Sequence, residues 1–387
     1  MEVYLDHAAT AKILPEVLDQ MNEAYLNYYA NPSALHQAGN MARERIEDAR
    51  KLITSLIRVS PDELIFTSGG TESNNTVVTG VADWGQQQQR RQWLLSAIEH
   101  PSVMQPYNQL KNKGSQVNVI PAGRDGRISL EALESLVNED TKLVSVMHVN
   151  NETGIIQPVE EAIKLVKQKN RNTLFHIDGV QAFGKVPLDL SRLQPDFYSL
   201  SAHKIGGPRG VGALFMKKPV RSAPLLQGGG QERQHRSGTE NTAGIIGFET
   251  AASIRLGRMQ QNNSAIWNMR KYLISQMKRL LDDLLLIESP DPVNQVPGIL
   301  MVACQGIKSE VILRMLSDEQ IYLSAGSACS SKKTAASHVL QAMKLPAAWI
   351  DGVLRISFDE TLTTEQADRF IERLAYHVRQ MRKVMKR

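Results

Sequence analysis

The sequence predicts an α/β fold. A seven-stranded, mostly parallel, doubly wound sheet forms a large domain, joined to a smaller α+β domain. Three observations carry this reading. Short apolar runs recur at residues 64–67, 93–96, 117–120, 143–148, 174–178, 197–200 and 212–216. Several are continuous rather than alternating, as in strands buried on both faces. Most are separated by helix-compatible stretches such as 130–137 and 159–169, the alternation a parallel sheet requires.

The elements follow in order. Residues 4–10 read as a short strand or extended segment leading into a turn. A first helix, 15–28, starts at Pro15, which suits a first helical turn. The Asn31-Pro32-Ser33 turn ends it. A second helix spans about 39–57, with Ala42, Ile46, Ala49, Ile53 and Leu56 on one face and Arg43, Glu44, Glu47, Asp48, Arg50 and Lys51 opposite. The polar run 86–91 reads as a surface connection. Beyond the seven strands a long helical region covers 243–286, a turn 289–296, a strand 298–303, a short helix 310–316 and a strand 354–358. The last helix opens on the capping-box pattern Thr363-x-x-Gln366 and carries Phe370, Leu374, Val378, Met381 and Met385 on one face. The expected large domain is 15–255. Residues 1–14 and 256–387 form the small domain.

Composition excludes several classes. A chain of 387 residues can bury a sizeable core. A net charge of +5 is mildly basic and does not require nucleic acid. No basic, apolar leader opens the sequence, so no export signal is expected. No apolar run approaches the ~20 residues of a membrane span. Cys304 and Cys329 are the only cysteines, too few for a disulfide framework or a zinc cluster. Two thiols without an export signal point to the cytoplasm.

Ligands of open α/β sheets sit beyond the carboxyl ends of the strands. There the sequence places Ser68-Gly69-Gly70-Thr71, then Glu99-His100, then Asn150-Asn151, then Asp178-Gly179-Val180-Gln181, then Ser201-Ala202-His203-Lys204. Glycines at a helix entry favour a phosphate, although a tight turn capped by Thr71 explains them equally. His100 alone reads more readily as structural. Lys204 ends an apolar strand, where an unpaired amine is costly unless it snorkels. A Schiff base with pyridoxal phosphate would remove that cost. Asp178, at a buried strand end, needs a cationic partner, and a protonated pyridine nitrogen would serve. Each feature has a structural explanation singly. Their coincidence at five successive strand ends points to a pyridoxal phosphate enzyme.

The motifs then become specific. They are Tyr-Leu-Asp-His-Ala-Ala-Thr at 4–10, Asn-Pro-Ser at 31–33 and Phe-Thr-Ser-Gly-Gly-Thr-Glu-Ser-Asn at 66–74. Next come Glu-His at 99–100, His-Val-Asn-Asn-Glu-Thr-Gly at 148–154, Asp-Gly-Val-Gln at 178–181 and Ser-Ala-His-Lys at 201–204. Arg-Ser-Gly-Thr-Glu-Asn at 236–241, Ser-Ala-Gly-Ser-Ala-Cys-Ser at 324–330 and Leu-Arg-Ile-Ser-Phe at 354–358 complete the series. In order and over nearly the full length, they resemble the NifS-like cysteine desulfurases of the class V aminotransferase group. The resemblance implies the fold type I architecture of pyridoxal phosphate transferases, as in aspartate aminotransferase, and a homodimer. It implies removal of sulfur from L-cysteine to give L-alanine and a persulfide on Cys329, passed to an acceptor protein. That acceptor would be an iron–sulfur scaffold or a tRNA-thiolation enzyme. No direct nucleic-acid contact and no membrane are implied.

The resemblance also implies roles. Lys204 would carry the cofactor and move the Cα proton. Asp178 would pair with the pyridinium, and Gln181 with the ring hydroxyl. His100 would stack on the ring and handle protons. Asn151 would sit beside cofactor and substrate. Gly70, Thr71, Ser201 and His203 would hold the phosphate, and Thr239 that of the partner subunit. Arg355, with Asn31, would hold the substrate carboxylate. Cys329, in a small polar loop at about 323–338, separates a desulfurase from an aminotransferase. Lys332 and Lys333 nearby would favour its thiolate. Cys304 reads as core. Position 179 is Gly where the family more often has Ala, which is expected to loosen the ring contact. The basic end, 379–387, replaces the acidic-aromatic tail that housekeeping members offer to the scaffold, and reads as a solvated face.

Overall fold

A computed structural model describes residues 1–84, 91–326 and 337–385. The strands are β1 (Val3–Tyr4), β2 (Leu64–Thr67), β3 (Gln92–Ser96), β4 (Gln116–Ile120), β5 (Thr141–Met147), β6 (Leu174–Asp178) and β7 (Phe197–Ser201). They continue with β8 (Gly212–Met216), β9 (Leu284–Ile287), β10 (Ile299–Cys304), β11 (Ile321–Tyr322), β12 (Ser324–Ala325) and β13 (Val353–Ser357). The first four helices are α1 (Pro15–Asn27), α2 (Gln37–Ile57), α3 (Gly70–Trp84) and α4 (Pro101–Asn112).

The large sheet has seven strands in the order β2-β8-β7-β6-β5-β3-β4. Only β8 runs against its neighbours; β7, β6, β5, β3 and β4 pair in parallel. The sequence expectation of seven strands holds. Both faces are covered, which is why the strands read as unbroken apolar runs. On one face Leu94, Val144, Ile177, Tyr198 and Leu200 pack with Ile46 and Ile53 of α2. On the other Trp93, Leu95, Leu143, Phe197 and Leu214 pack with Val77 of α3 and Val103 and Tyr107 of α4. Parallel register then sets the carboxyl ends side by side: Met147 pairs with Asp178, and Asp178 with Ser199.

A second, antiparallel sheet follows the order β12-β13-β10-β9. Its core joins Leu300, Val302 and Ile356 to Leu273 of the helix Met259–Leu280 and Phe370, Leu374 and Val378 of the helix Thr364–Met385. Cys304 lies in that core, and burial pushes its thiol up to about 11. The capping box forms: Gln366 N donates to Thr363 Oγ1 and Thr363 N to Gln366 Oε1. The expected single helical region over 243–286 is corrected. It consists of the helices Thr242–Gly257 and Met259–Leu280, and its last residues belong to strand β9. Helical geometry ends at the extended C-cap Leu281, Asp283 then turns the chain with a left-handed φ of 56°, and the Leu284–Ile287 run is too short for its period to separate helix from strand.

The N-terminal segment is mostly a strap rather than a strand. β1 pairs in parallel with β11. Asp6 then bridges to Ser357, and His7 N donates to Ser357 O. The chain thereby crosses from the small sheet to the carboxyl ends of the large one.

One buried ion pair fixes the loop between β8 and the helix Thr242–Gly257. Arg50 of α2 donates to both carboxylate oxygens of Glu232 at 2.7 Å, and Phe66 N donates to Glu232 Oε2 at 2.7 Å. Glu232, Arg233 and Gln234 all take left-handed φ values of 47°, 56° and 70°, a conformation these side chains hold only when anchored. Arg50→Ala is expected to cost about 3–5 kcal/mol, because it leaves a buried carboxylate uncompensated. Replacing both partners with apolar residues should cost less. Urea denaturation of the two variants checks this.

Candidate active site

The carboxyl ends of β3, β5, β6 and β7 surround a cavity of about 330 Å³. Gly70, Thr71, His100, Asn151, Asp178, Gln181, Ser201, His203, Lys204 and Arg355 all line it. A larger open groove of about 770 Å³, around Asp282, Glu372, Tyr376 and Arg379, contains none of them.

Lys204 sits in the turn after β7. Its Nζ donates to the carbonyls of Ala8 at 2.8 Å and Ala9 at 2.6 Å, both on the strap. Gln181 Nε2 donates to the same Ala8 carbonyl at 2.8 Å. Its Oε1 accepts from Lys185 Nζ at 2.7 Å, so its carbonyl side is committed away from the cavity. Burial, with the Lys204 charge nearby, pushes Lys185 down to about 7.

Asp178 ends β6 almost fully buried. Oδ1 accepts from Val180 N at 3.0 Å and Oδ2 from Asn74 Nδ2 at 2.8 Å. Asn74 Nδ2 also donates to Ser102 Oγ at 2.9 Å. Ser102 Oγ lies 2.7 Å from His100 Nδ1, and Ser102 N donates to that same nitrogen. With both Ser102 groups donating to Nδ1, the neutral ring carries its proton on Nε2. Burial pushes His100 down, against the upward pull of Asp178. A continuous chain thus joins the strand-end carboxylate to the strand-end imidazole.

Ser201 Oγ is buried with no partner among the described residues. It lies beyond Gly69, at the entry to α3. A Cβ on Gly70 would fall 2.4 Å from Val180 Cγ2, so this turn requires glycine. An unsatisfied hydroxyl beside the N-terminus of a 15-residue helix suits a phosphate. His203 Nδ1 lies 3.2 Å from Thr10 Oγ1, and burial pushes it down to about 4. Amine, carboxylate, imidazole and anion cradle together fit pyridoxal phosphate.

Arg355, on β13, is 2 % exposed. Its Nη2 donates to Asp6 Oδ1 at 2.8 Å and its Nη1 to Asn151 O at 3.1 Å. Nε has no partner among the described residues.

Two candidates lie elsewhere. Asn31 is exposed, and its Oδ1 accepts from Ser33 N within its own turn. Thr239 is exposed beside a separate recess with Thr67, Glu232 and Arg236. Cys329 lies outside the described residues. Asp6, Ala8 and Asn74 lie inside the sequence motifs without an assigned role, and Ser102 lies just beyond one. Their contacts are long-range, and no local periodicity reports them.

Position 179 departs from expectation. A Cβ there would stand 1.8 Å from Tyr198 Cε1 and 2.1 Å from Cζ. The tyrosine ring fills the space, and Val180 is the neighbour that lines the cavity. Tyr198 OH is 2.9 Å from His148 Nδ1, and burial pushes His148 down to about 4. The space a methyl would take at position 179 is therefore already filled.

Comparison with known proteins agrees with this geometry. The aminotransferase class-V family matches residues 3–370. A NifS/IcsS protein homolog of Lactobacillus delbrueckii subsp. bulgaricus is 39% identical over 374 residues, covering 95% of each chain. The cysteine desulfurase NifS of Azotobacter vinelandii is 36% identical over 99% of this chain and 94% of its own. The solved structure of a NifS-like protein superposes with a TM-score of 0.92 at 36% identity, covering 98% of this chain and 99% of that one.

Two outcomes follow from the packing and burial. Gly179→Ala should destabilise by about 1–3 kcal/mol through overpacking, and Tyr198→Leu in the same chain should relieve most of that loss. A double-mutant cycle on urea midpoints measures the coupling. Glu99 is fully buried behind His100, and burial, with Asp178 nearby, pushes it up to about 8. Its folded value lies above its unfolded one, so its contribution is complete at acid pH and is lost as pH rises through about 8. Wild type should lose more stability between pH 6 and pH 9 than Glu99→Gln, which cannot ionise; parallel denaturation curves check this.

Proposed function

Because the chain belongs to the aminotransferase class-V family, we propose that it is a pyridoxal phosphate-dependent cysteine desulfurase. The observation that carries this is one cavity in which Lys204, Asp178, His100 and Arg355 converge with a phosphate cradle. The overall reaction takes L-cysteine and the Cys329 thiol to L-alanine and a Cys329 persulfide. The substrate C–S bond breaks, one S–S bond forms, and the thiol protons balance. An acceptor protein, an iron–sulfur scaffold or a tRNA-thiolation enzyme, then takes the terminal sulfur.

When bound, the cofactor supplies an electron sink for the bonds at the substrate Cα. Lys204 would hold it covalently, Asp178 would meet its ring nitrogen, and Gln181 would turn its amide N–H toward the ring oxygen. Gly70, Thr71, Ser201 and His203 would take its phosphate. This chain's residues do the rest. Arg355 binds the substrate carboxylate through its remaining donors. Asn151, whose carbonyl already fixes Arg355, lies alongside. Lys204 Nζ would be the group that accepts the Cα proton. His100 is neutral near pH 7 because burial lowers it, so its Nε2 exchanges a proton with the substrate sulfur at little cost.

A homodimer fits the surface. Tyr25, Leu26 and Tyr29 of α1 and its C-cap region, with Leu35, are 62%, 77%, 76% and 92% exposed. Large apolar side chains this exposed and this near in sequence call for a partner, and a second copy would bring Thr239 to a neighbouring cavity.

Brief L-cysteine treatment of the yellow protein should add one sulfur by intact mass, removed by reduction, with L-alanine in the same tube. Cys329→Ser should keep the visible band and gain no sulfur; sulfur transfer that persisted would sink the assignment. Lys204→Ala should lose the band of the covalently held cofactor.

A further inference from the structure

The strap motif at residues 4–10 bonds to Lys204, Gln181, His203 and Arg355, yet the proposed chemistry gives it no part. Its one acidic residue, Asp6, reaches Arg355. Asp6 Oδ1 accepts from Arg355 Nη2 at 2.8 Å. The Arg355 side chain is 2% exposed and that of Asp6 20%. Asp6 does not line the cavity, whereas Arg355 does. The carboxylate therefore holds the guanidinium from behind. Its position is fixed by backbone pairing of the strap with β13, at Asp6–Ser357 and from Ser357 N to Leu5 O.

A guanidinium has five N–H donors. Nη1 serves Asn151 O, Nη2 serves Asp6, and Nε is buried without a partner among the described residues. An orphaned charged donor at a cavity wall marks where an anion is to be received. The other acid near Arg355 is Glu152. Burial pushes it up to about 7, with Ser337 hydrogen-bonded to it, so it is an incomplete counter-charge near neutral pH. Asp6 is then the principal negative charge on Arg355 before substrate arrives.

Resting on the reading of Arg355 as the carboxylate receptor, we propose that Asp6 is a positioning residue that sets how tightly Arg355 grips the substrate carboxylate. It neutralises the guanidinium from behind and keeps the product carboxylate releasable. Without that charge, a ligand carboxylate becomes the guanidinium's main counter-ion and is held too well.

The test uses the full-length, cofactor-loaded enzyme and its product L-alanine as the probe, with binding followed by calorimetry and by the visible band. Asp6→Asn keeps an oxygen that accepts from Nη2 and removes only the charge. Its L-alanine dissociation constant should fall roughly tenfold, as expected for losing one charge a few ångströms away in partly buried surroundings. KM for L-cysteine and kcat should fall together as product release slows. Asp6→Ser is the second neutral variant should the amide not fold. Asp6→Glu retains the charge and should bind L-alanine like wild type. An unchanged or weaker L-alanine affinity in the neutral variants, or tighter binding in Asp6→Glu, would overturn the proposal. Arg355→Met separates the two levels. Saturable L-alanine binding that survives it refutes Arg355 as the receptor. Its loss there, with no change in Asp6→Asn, refutes Asp6 alone.

Discussion

An amine at the end of a buried strand is the constraint on which this site is built. Lys204 leaves β7 inside the protein, where an ammonium without acceptors is costly. The acceptors come from far along the chain, from the carbonyls of Ala8 and Ala9. Those carbonyls are held by the strap, which pairs with β13 of the small sheet and, through β1, with β11. The small sheet is in place only because its own core packs against two long helices. Satisfying one ammonium therefore fixes how the two sheets meet.

Burial, more than pairing, sets the protonation of the groups around it. His100, His148, His176 and His203 are all pushed down by desolvation, and Glu99 and Glu152 are pushed up. The imidazoles are neutral at working pH and act as oriented donors and acceptors. The chain Asp178–Asn74–Ser102–His100 shows the consequence. Along this chain an amide and a hydroxyl stand between the carboxylate and the imidazole. In such surroundings few charges survive, and each has a marked effect on ligand affinity.

Much of this was legible in the sequence, for reasons tied to particular residues. The seven strands stood out because both faces of the sheet are covered, as Trp93 and Leu94 illustrate by packing on opposite sides. The strand-end residues stood out because parallel register puts polar groups directly after apolar runs, and Thr71, His100, Asn151, Asp178, Gln181, Ser201, His203 and Lys204 among them line one cavity. What escaped depends on contacts between distant residues. Strand β9 was absorbed into a helix because four apolar residues carry no period of their own. The Asp6–Arg355 pair joins residues 349 positions apart. Asn31 was placed near the substrate by its motif, yet its side chain closes its own turn.

Gly179 shows why a departure from a family pattern cannot be read one position at a time. A missing methyl suggests a looser site. In this chain the volume is taken by the ring of Tyr198, from the adjacent strand β7, whose hydroxyl is engaged by His148 from β5's carboxyl end. Three strands thus contribute to one packed layer beneath Asp178. Backbone bonds run through the same layer: His148 N donates to Asp178 O, and Gly179 N to Ser199 O. The glycine is the condition for the tyrosine, and the tyrosine restores the packing that holds the carboxylate. The strand-end side chains above this layer stay where the parallel register puts them.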